Sequence, residues 1–258
     1  MQGNTHEIGR RHADAKPRFG IDAPTLVLGF AVGGPALLLA AMVLTHGFPL
    51  AASSDAARSL LGAMTLTGLI MCLEAIAMTL SSRVGKRLLL RRMVSSLNLR
   101  GDEQALEVGC GRGMLLLEVA HNLPQGRATG IDLWSTRDQS GNAAAATRRN
   151  AELADVADRV RINTGDMRHL PYADASFDAV VASLAIHNLP TQTDREQAVR
   201  EIARVLKPGG RVALLDFRCT AAYARTLRAE GLTDARRHGP SFLMFPWVWI
   251  VRASKAPG

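Results

Sequence analysis

Glu107-Val108-Gly109-Cys110-Gly111-Arg112-Gly113 is the stretch on which the fold of this 258-residue chain turns. Residues 105–108 form a short apolar run before it, and residues 114–120 carry the spacing of a helix after it. Three glycines between a strand and a helix let the backbone turn tightly and approach a ligand where a Cβ would clash. The next apolar run, 127–132, ends in Asp132, 19 residues after Gly113. A carboxylate at that strand end can accept both hydroxyls of a ribose. The spacing departs from a dinucleotide fingerprint, which wants Gly or Ala at position 114, where this chain has Met114. The acidic Glu107, two places before the first glycine, is also foreign to that fingerprint.

Working outward, the same strand-turn-helix rhythm continues. Strands are predicted at 127–132, 160–164, 178–183, 212–217 and 247–253, and helices at 143–153, 193–206 and 221–230. The turn Lys207-Pro208-Gly209-Gly210 closes the helix at 193–206, because proline lacks a donor and glycine accepts positive φ. Strands alternating with helices imply an α/β fold built on a parallel sheet with helices on both faces.

The glycine loop, Asp132, Gly165-Asp166-Met167 and Leu206-Lys207-Pro208-Gly209-Gly210 together resemble the class I S-adenosylmethionine-dependent methyltransferases, especially the small-molecule, quinone-biosynthesis-like branch (the methyltransferase-11 type). The resemblance covers about residues 85–258. It implies a Rossmann-like seven-stranded methyltransferase sheet with a reversed last strand, and S-adenosyl-L-methionine bound across the carboxyl ends of the first strands. Carried over by position, Glu107 lies near the methionine amino group, with Gly109, Gly111 and Gly113 lining the loop. Asp132 holds the ribose hydroxyls and Leu133 packs on adenine. Asp166 accepts from the adenine amino group, Met167 lies beside the ring, and Ser183 to Ala185 border the methionine end. The polar stretch 134–142 is longer than the family's usual connection. In place of an Asn-Pro-Pro-Tyr-type motif, which would mark methylation of amino groups on bases or glutamine, the chain has Leu184-Ala185-Ile186-His187-Asn188.

Methyl transfer from a sulfonium is an in-line displacement, in which alignment does most of the work and a base is optional. His187, just past a strand end, is the candidate catalytic residue, placed to take a proton from the acceptor. A packing role for this histidine is the alternative. Arg112, Arg137 and Asn188 are weaker substrate-site candidates. Cys110 reads as a small loop residue rather than a nucleophile.

The first third differs in kind. Residues 23–54 contain no Asp, Glu, Lys or Arg, and a second apolar run, 60–80, holds one charge, Glu74. About 20 apolar residues cross the roughly 30 Å hydrocarbon core of a bilayer. Two transmembrane helices are therefore expected, the first kinked at Gly33-Gly34-Pro35, with Glu74 turned to the partner helix or the interface, or neutral. Basic residues flank the pair: Arg10, Arg11, Lys16 and Arg18 before, Arg58 between, and Arg83, Lys86, Arg87, Arg91 and Arg92 after. That bias puts both termini and the catalytic domain on the cytoplasmic side of an inner or cytoplasmic membrane. The segment after the second run alternates basic residues with Leu88, Leu89, Leu90, Met93 and Leu97, which suits a helix on an anionic membrane surface and equally a helix packed on the following domain. The predicted organisation is a polar tail at 1–22, a membrane hairpin at 23–82, a basic amphipathic linker helix at 83–98 and a methyltransferase domain at 99–258.

Composition narrows the partners. The formal charge is +8, but residues 96–258 carry 21 basic against 18 acidic side chains, so the catalytic part is nearly balanced. That disfavours nucleic acid as a partner, since no basic and aromatic platform is concentrated there. Three cysteines, Cys72, Cys110 and Cys219, lack metal-ligand spacing and an even count, which argues against a zinc site and a disulfide framework. The reading is a membrane-anchored methyltransferase for a small or lipid-like acceptor. Two alternatives stand beside it: a non-catalytic S-adenosylmethionine-binding sensor or assembly subunit, its hairpin pairing through Gly62 and Gly68 with another membrane protein, and a nicotinamide oxidoreductase.

Overall fold

The computed structural model describes residues 16–20, 23–48, 54–135 and 142–258. Most of the tail predicted at 1–22, including Arg10 and Arg11, part of the connection between the apolar runs, and residues 136–141, including Arg137, lie outside the described residues. The chain divides into two compact units. The larger takes in the described part of Met1–Gly20 together with Arg87–Phe242 and Trp247–Gly258; the smaller comprises Ile21–Lys86 and Leu243–Pro246.

In the smaller unit, α1 (Pro24–Gly47) and α2 (Asp55–Leu80) pack along each other. Ser54 starts α2 by accepting from the Ala57 N–H at 3.1 Å, which satisfies one of the orphan donors of a helix N-terminus. The helices meet at glycine. A Cβ on Gly34 would sit 2.9 Å from the Gly68 carbonyl oxygen, and one on Gly68 would sit 3.0 Å from the Gly34 oxygen. Gly68 is thus used inside the hairpin, whereas Gly62 faces open space. Helix α1 continues through Pro35 without interruption. Leu26, Leu28, Val32 and Leu39 of α1 and Leu60, Leu66, Leu73 and Ile76 of α2 are all exposed, so each helix is apolar around its circumference instead of along one stripe. A five-residue π-helical turn, Ser81–Gly85, follows α2. The Ser81 hydroxyl accepts from the Phe245 N–H at 2.8 Å, and Gly85 admits the Leu243 carbonyl where a side chain could not fit.

The larger unit begins within α3 (Lys86–Ser95), whose apolar side chains Leu89, Leu90, Met93 and Val94 are buried while Arg87, Arg91 and Arg92 face solvent. Of the two uses the sequence left open for this segment, packing takes its apolar side. The sheet follows: β1 (Gln104–Val108), α4 (Met114–His121), β2 (Arg127–Asp132), α5 (Ala144–Leu153), β3 (Val160–Thr164), β4 (Phe177–Ser183), α6 (Gln192–Val205), β5 (Leu206–Asp216), α7 (Thr220–Ala229), β6 (Leu232–Ser241) and β7 (Val248–Lys255). Strand order is β3-β2-β1-β4-β5-β7-β6, with β7 antiparallel to both neighbours. This is a Rossmann-like, seven-stranded mixed sheet with a reversed last strand. The pleat sorts its side chains by parity. Leu106, Val108, Val180, Ala182, Val212 and Leu214 enter one core with Val199 and Ile202 of α6 and Tyr223 and Leu227 of α7.

Two elements differ from the sequence expectation. Strand β5 starts at Leu206, directly after α6, and its Lys207-Pro208-Gly209-Gly210 turn is a bulge in that strand: Leu206 pairs with Phe177, and pairing resumes at Arg211 with Ala179. Strand β6 was not anticipated, because Leu-Thr-Asp-Ala-Arg-Arg-His-Gly-Pro-Ser has no apolar alternation and buries only Leu232 and Ala235. It is an edge strand, held by its ladder to β7, and an edge can stay polar.

The entry to β1 is fixed by a buried carboxylate. Glu103 accepts from the Arg100 N–H at 2.7 Å and the Gly101 N–H at 2.8 Å, with Arg211 at 3.5 Å. Burial pushes the Glu103 carboxyl up, but those N–H donors and the Arg100 charge outweigh it and hold the group below the ordinary glutamate range. A carboxyl depressed in the folded state stabilises it above its unfolded pKa, about 4.3, and loses that contribution as pH falls through the folded value. Glu103→Gln should therefore lower stability by about 1.5–3 kcal/mol at pH 7, with the gap to the parent closing as the pH falls below the ordinary glutamate range. A thermal melt series across pH checks this; a gap that persists at acid pH contradicts the charge argument.

Candidate active site

Strand order reverses between β1 and β4, and in open α/β sheets the crevice at such a switch point, outside the carboxyl ends of the strands, is where ligands bind. The two chain segments that leave those ends meet at one contact. Gly109, at φ 74°, lies against Ala185, and a Cβ there would run into the Ala185 methyl group. On the β4 side the approach depends on Leu184, which takes φ 53° and donates its N–H to the Leu215 carbonyl at 2.9 Å. A left-handed leucine is costly and persists only where the surroundings fix it.

From Gly109 the loop is tied to β2. The N–H groups of Gly109 and Cys110 both donate to the Ile131 carbonyl, at 2.8 and 3.2 Å, and the Gly111 N–H donates to Asp132 Oδ2 at 2.8 Å. Asp132 Oδ1 accepts from the Trp134 N–H at 2.6 Å and from the Asn142 amide at 3.3 Å. Gly113, at φ 84°, precedes α4, where a Cβ would lie 2.8 Å from Thr147 Cγ2. Thr147 and Asn150, both buried on α5, brace the loop from behind by donating to the Gly111 carbonyl at 2.6 Å and the Arg112 carbonyl at 2.9 Å. Leu133, beyond the ribose-type carboxylate, is 55% exposed and open to a flat apolar partner.

The other predicted residues fall around this frame. Glu107 is buried at the end of β1. Met167 brings its methyl group to the Gly109–Ala185 contact, 3.4 Å from where a Gly109 Cβ would stand. Asp166 has a partner that sequence reading missed: Arg168, which donates through its backbone N–H at 2.9 Å and grips both carboxylate oxygens, the shortest contact 2.6 Å, while reaching Asp194 at 3.0 Å. The Arg168 hydrogen bonds hold the Asp166 carboxyl below the ordinary aspartate range. Ser183 Oγ is buried with no hydrogen-bond partner among the described residues, as is Asn142 Oδ1, and such atoms mark where a ligand or water completes the bonding. Burial, then the Glu107 and Asp132 carboxylates, push the Cys110 thiol well up, which keeps it a thiol and removes it as a nucleophile.

His187 sits at the β5 end of the crevice, in the 3-10 turn Ile186–Asn188, and is buried. Its Nδ1 is 2.8 Å from Asp216 Oδ1, a close polar contact off the line of a well-formed hydrogen bond. Asp216, the last residue of β5, also accepts from the Phe217 N–H at 2.8 Å and from the Tyr223 hydroxyl at 3.1 Å. Burial, then Asp216, push the Tyr223 phenol up, so it stays a donor. The Phe217 ring meets the imidazole edge-on with centroids 4.5 Å apart. Asp216 and Tyr223 were not foreseen; the available signal was a lone carboxylate closing an otherwise apolar strand. Among the described residues no cluster of side chains suits a metal ion.

The crevice fits S-adenosylmethionine: a turn that only glycine completes, a carboxylate at the second strand end, an exposed leucine beside it, and two buried polar atoms, Ser183 Oγ and Asn142 Oδ1, without a partner among the described residues. Comparison with known proteins agrees. Residues 106–214 match the family described as Methyltransferase domain. The 27-O-demethylrifamycin SV methyltransferase of Amycolatopsis mediterranei is 39% identical over 126 residues, 49% of this chain and 43% of that protein. The ubiquinone/menaquinone biosynthesis C-methyltransferase UbiE of Geotalea daltonii is 32% identical over 128 residues, 49% of this chain and 51% of that protein. The chain thus spans about half the length of the curated relatives it matches. Among solved structures, the [4+2]-cyclase SpnF superposes with TM-score 0.54 at 22% identity, covering 67% of this chain and 81% of that one. A geranyl diphosphate methyltransferase with geranyl diphosphate and sinefungin gives 0.51 at 13% identity, covering 66% and 78%. These likenesses show the fold alone, and a cyclase among them is a reminder that fold does not fix chemistry.

Gly109→Ala should destabilise the larger unit, by about 1–2 kcal/mol for the left-handed backbone and a further roughly 1–3 kcal/mol for overpacking against Ala185. A thermal melt of the variant checks it, and an unchanged midpoint contradicts the close approach. The crevice and the family match coincide: residues 106–214 are similar to a methyltransferase domain, and the site they form suits S-adenosylmethionine as cofactor.

Proposed function

We propose that the whole protein is a membrane-anchored methyltransferase that transfers a methyl group from S-adenosylmethionine to a small, lipophilic acceptor reached from the cytoplasmic leaflet. The observation that carries the chemistry is the placing of two different carboxylate sites at the two ends of one crevice: Asp132 beside the glycine turn, and Asp216 behind His187. The first is suited to holding a nucleoside and the second to handling a proton.

Bound S-adenosylmethionine supplies an electrophilic methyl group on a sulfonium, and the displacement is in line. The chain does the rest by position. Asp132 holds the ribose hydroxyls, Leu133 covers the adenine, Glu107 and the Gly109 turn receive the methionine end, and Asp166, kept ionised and oriented by Arg168, accepts from the adenine edge with Met167 alongside. At the other end, Asp216 faces Nδ1 of His187 and leaves Nε2 as the atom that takes a proton from the acceptor. The Phe217 N–H and the Tyr223 hydroxyl hold that carboxylate in place, so the imidazole is oriented before the acceptor arrives. The names of relatives, including UbiE and demethylmenaquinone methyltransferase, make a quinone-type acceptor the first class to assay.

The anchor rests on two helical stretches long and apolar enough to cross a membrane, Pro24–Gly47 and Asp55–Ser95, with only 17% and 11% of their most apolar windows buried. A core helix of a water-soluble fold would be mostly covered; these present leucine and isoleucine outward all round, which hydrocarbon tolerates and water does not. The basic residues on both flanks favour cytoplasmic termini, and the segments predicted at 1–22, 23–82, 83–98 and 99–258 then serve as tail, anchor, linker and catalytic domain.

Asp132→Ala should weaken binding of S-adenosylmethionine and of its demethylated product by about 1–3 kcal/mol, the worth of hydrogen bonds to a charged group. Titration calorimetry measures this, and unchanged affinity removes Asp132 from the ribose. His187→Ala should lower turnover by roughly 10²-fold or more with cofactor affinity nearly intact, and Asp216→Asn should lower kcat in the same direction. Near-parental turnover in His187→Ala leaves alignment alone as the driver. The full chain should stay in the pellet on alkaline carbonate extraction; release without detergent contradicts the anchor.

A further inference from the structure

Outside the crevice, the larger unit contains a cavity of about 200 Å³ formed where α3, the outer face of α4 and the segment at 16–19 come together. Its rim is cationic. Lys16, Arg87 and Arg91 face it, against a single carboxylate, Glu118. Its floor is apolar, made of Phe19, Leu90 and Leu117. The wall at 16–19 is pinned by Asn150, whose amide accepts from the Arg18 N–H at 2.9 Å and donates to the Arg18 carbonyl at 3.1 Å, so the cavity is built from fixed backbone.

The cations are placed but weakly committed. Arg87 and Arg91 are one helical turn apart on the same side of α3. The Arg87 guanidinium lies over the Phe19 ring at 5.6 Å. Arg91 Nε is 3.4 Å from Glu118 with its side chain 69% exposed, a pair worth little in water and readily exchanged for a better anion. His121 also lines the cavity and binds its own helix through Nδ1, 2.7 Å from the Leu117 carbonyl, leaving Nε2 for another partner.

We propose that this cavity binds the phosphate-bearing headgroup of an anionic lipid. The shared chemistry is a phosphate oxyanion against two guanidinium groups and an ammonium. The apolar floor and the size favour an amphiphile's headgroup over a nucleotide, because pockets for drug-sized ligands run to roughly 300–1,000 Å³. The choice of a lipid over free phosphate rests on the membrane reading above: Arg87 follows the last residue of α2, Leu80, by seven positions in the sequence, where a polypeptide leaving a bilayer meets headgroups. Bound lipid would then link α3, α4 and the segment at 16–19, the same segment that Asn150 ties to the Arg112 carbonyl of the glycine loop.

The test uses the full chain purified in a neutral detergent and titrated with short-chain phosphatidylglycerol, short-chain phosphatidylcholine and inorganic phosphate, with binding read by calorimetry. Phosphatidylglycerol should saturate a single site, phosphatidylcholine should bind at least roughly tenfold more weakly, and Arg87→Gln and Arg91→Gln should each cost roughly fivefold, the worth of one basic side chain at an anionic surface. Unchanged melting temperature and S-adenosylmethionine affinity in the variants show that they are folded. Equal binding of the two lipids, binding untouched by both substitutions, or inorganic phosphate binding as tightly as phosphatidylglycerol overturns the proposal. The membrane reading fails separately: a chain released by carbonate that still binds phosphatidylglycerol through Arg87 and Arg91 keeps the headgroup site and loses the anchor.

Discussion

The hydrogen bond from the Gly111 N–H to Asp132, together with the left-handed turn at Gly109, is the constraint from which the rest of the catalytic unit follows. It forces the chain leaving β1 to fold across the end of β2 and continue directly into α4. It also lets the segment after β4 reach the loop, because Ala185 occupies the space a Gly109 side chain would need. Once those two approaches are fixed, the carboxyl ends of β1, β2 and β4 open into one crevice. Thr147 and Asn150 then hold the loop from the helix side, so its carbonyl groups are paired before any ligand arrives.

The second end of the crevice obeys a different logic. A carboxylate as deeply buried as Asp216 costs several kcal/mol to desolvate unless donors surround it. Here the Phe217 N–H and the Tyr223 hydroxyl donate to it, and the His187 Nδ1 lies 2.8 Å away. The arrangement makes the histidine's orientation a consequence of the sheet: β4 delivers His187, β5 delivers Asp216, and α7 delivers Tyr223. In the proposed function, proton handling and nucleoside binding fall on opposite sides of the switch point, joined through the turn at Leu184.

Much of this was legible in the sequence because it is local. Three glycines between an apolar run and a helix, with an aspartate closing the next run, specify the turn and its strand end within some 25 residues, and the order of strands and helices specifies the parallel part of the sheet. What was not legible depends on distant partners. Asp216 meets His187 only through the pairing of β4 with β5, across 29 positions. Arg168 is close to Asp166 in sequence, but its grip on both Asp166 and Asp194 requires α6 to be in place. Strand β6 exists through its ladder with β7, and its polar sequence carries no pattern to announce it. Gly68 goes to an outside partner only in the alternative reading of an assembly subunit, whereas packing inside the hairpin uses it against Gly34.

The central claim is that one crevice holds S-adenosylmethionine with its nucleoside at Asp132 and its reactive end toward His187. An experimental structure of the full chain with S-adenosylhomocysteine tests it most directly. The ribose hydroxyls should lie within hydrogen-bond distance of the Asp132 carboxylate, adenine on Leu133, and the sulfur between the Gly109 turn and the His187 side of the crevice. A ligand bound elsewhere, or bound here with its sulfur turned away from His187, would contradict it.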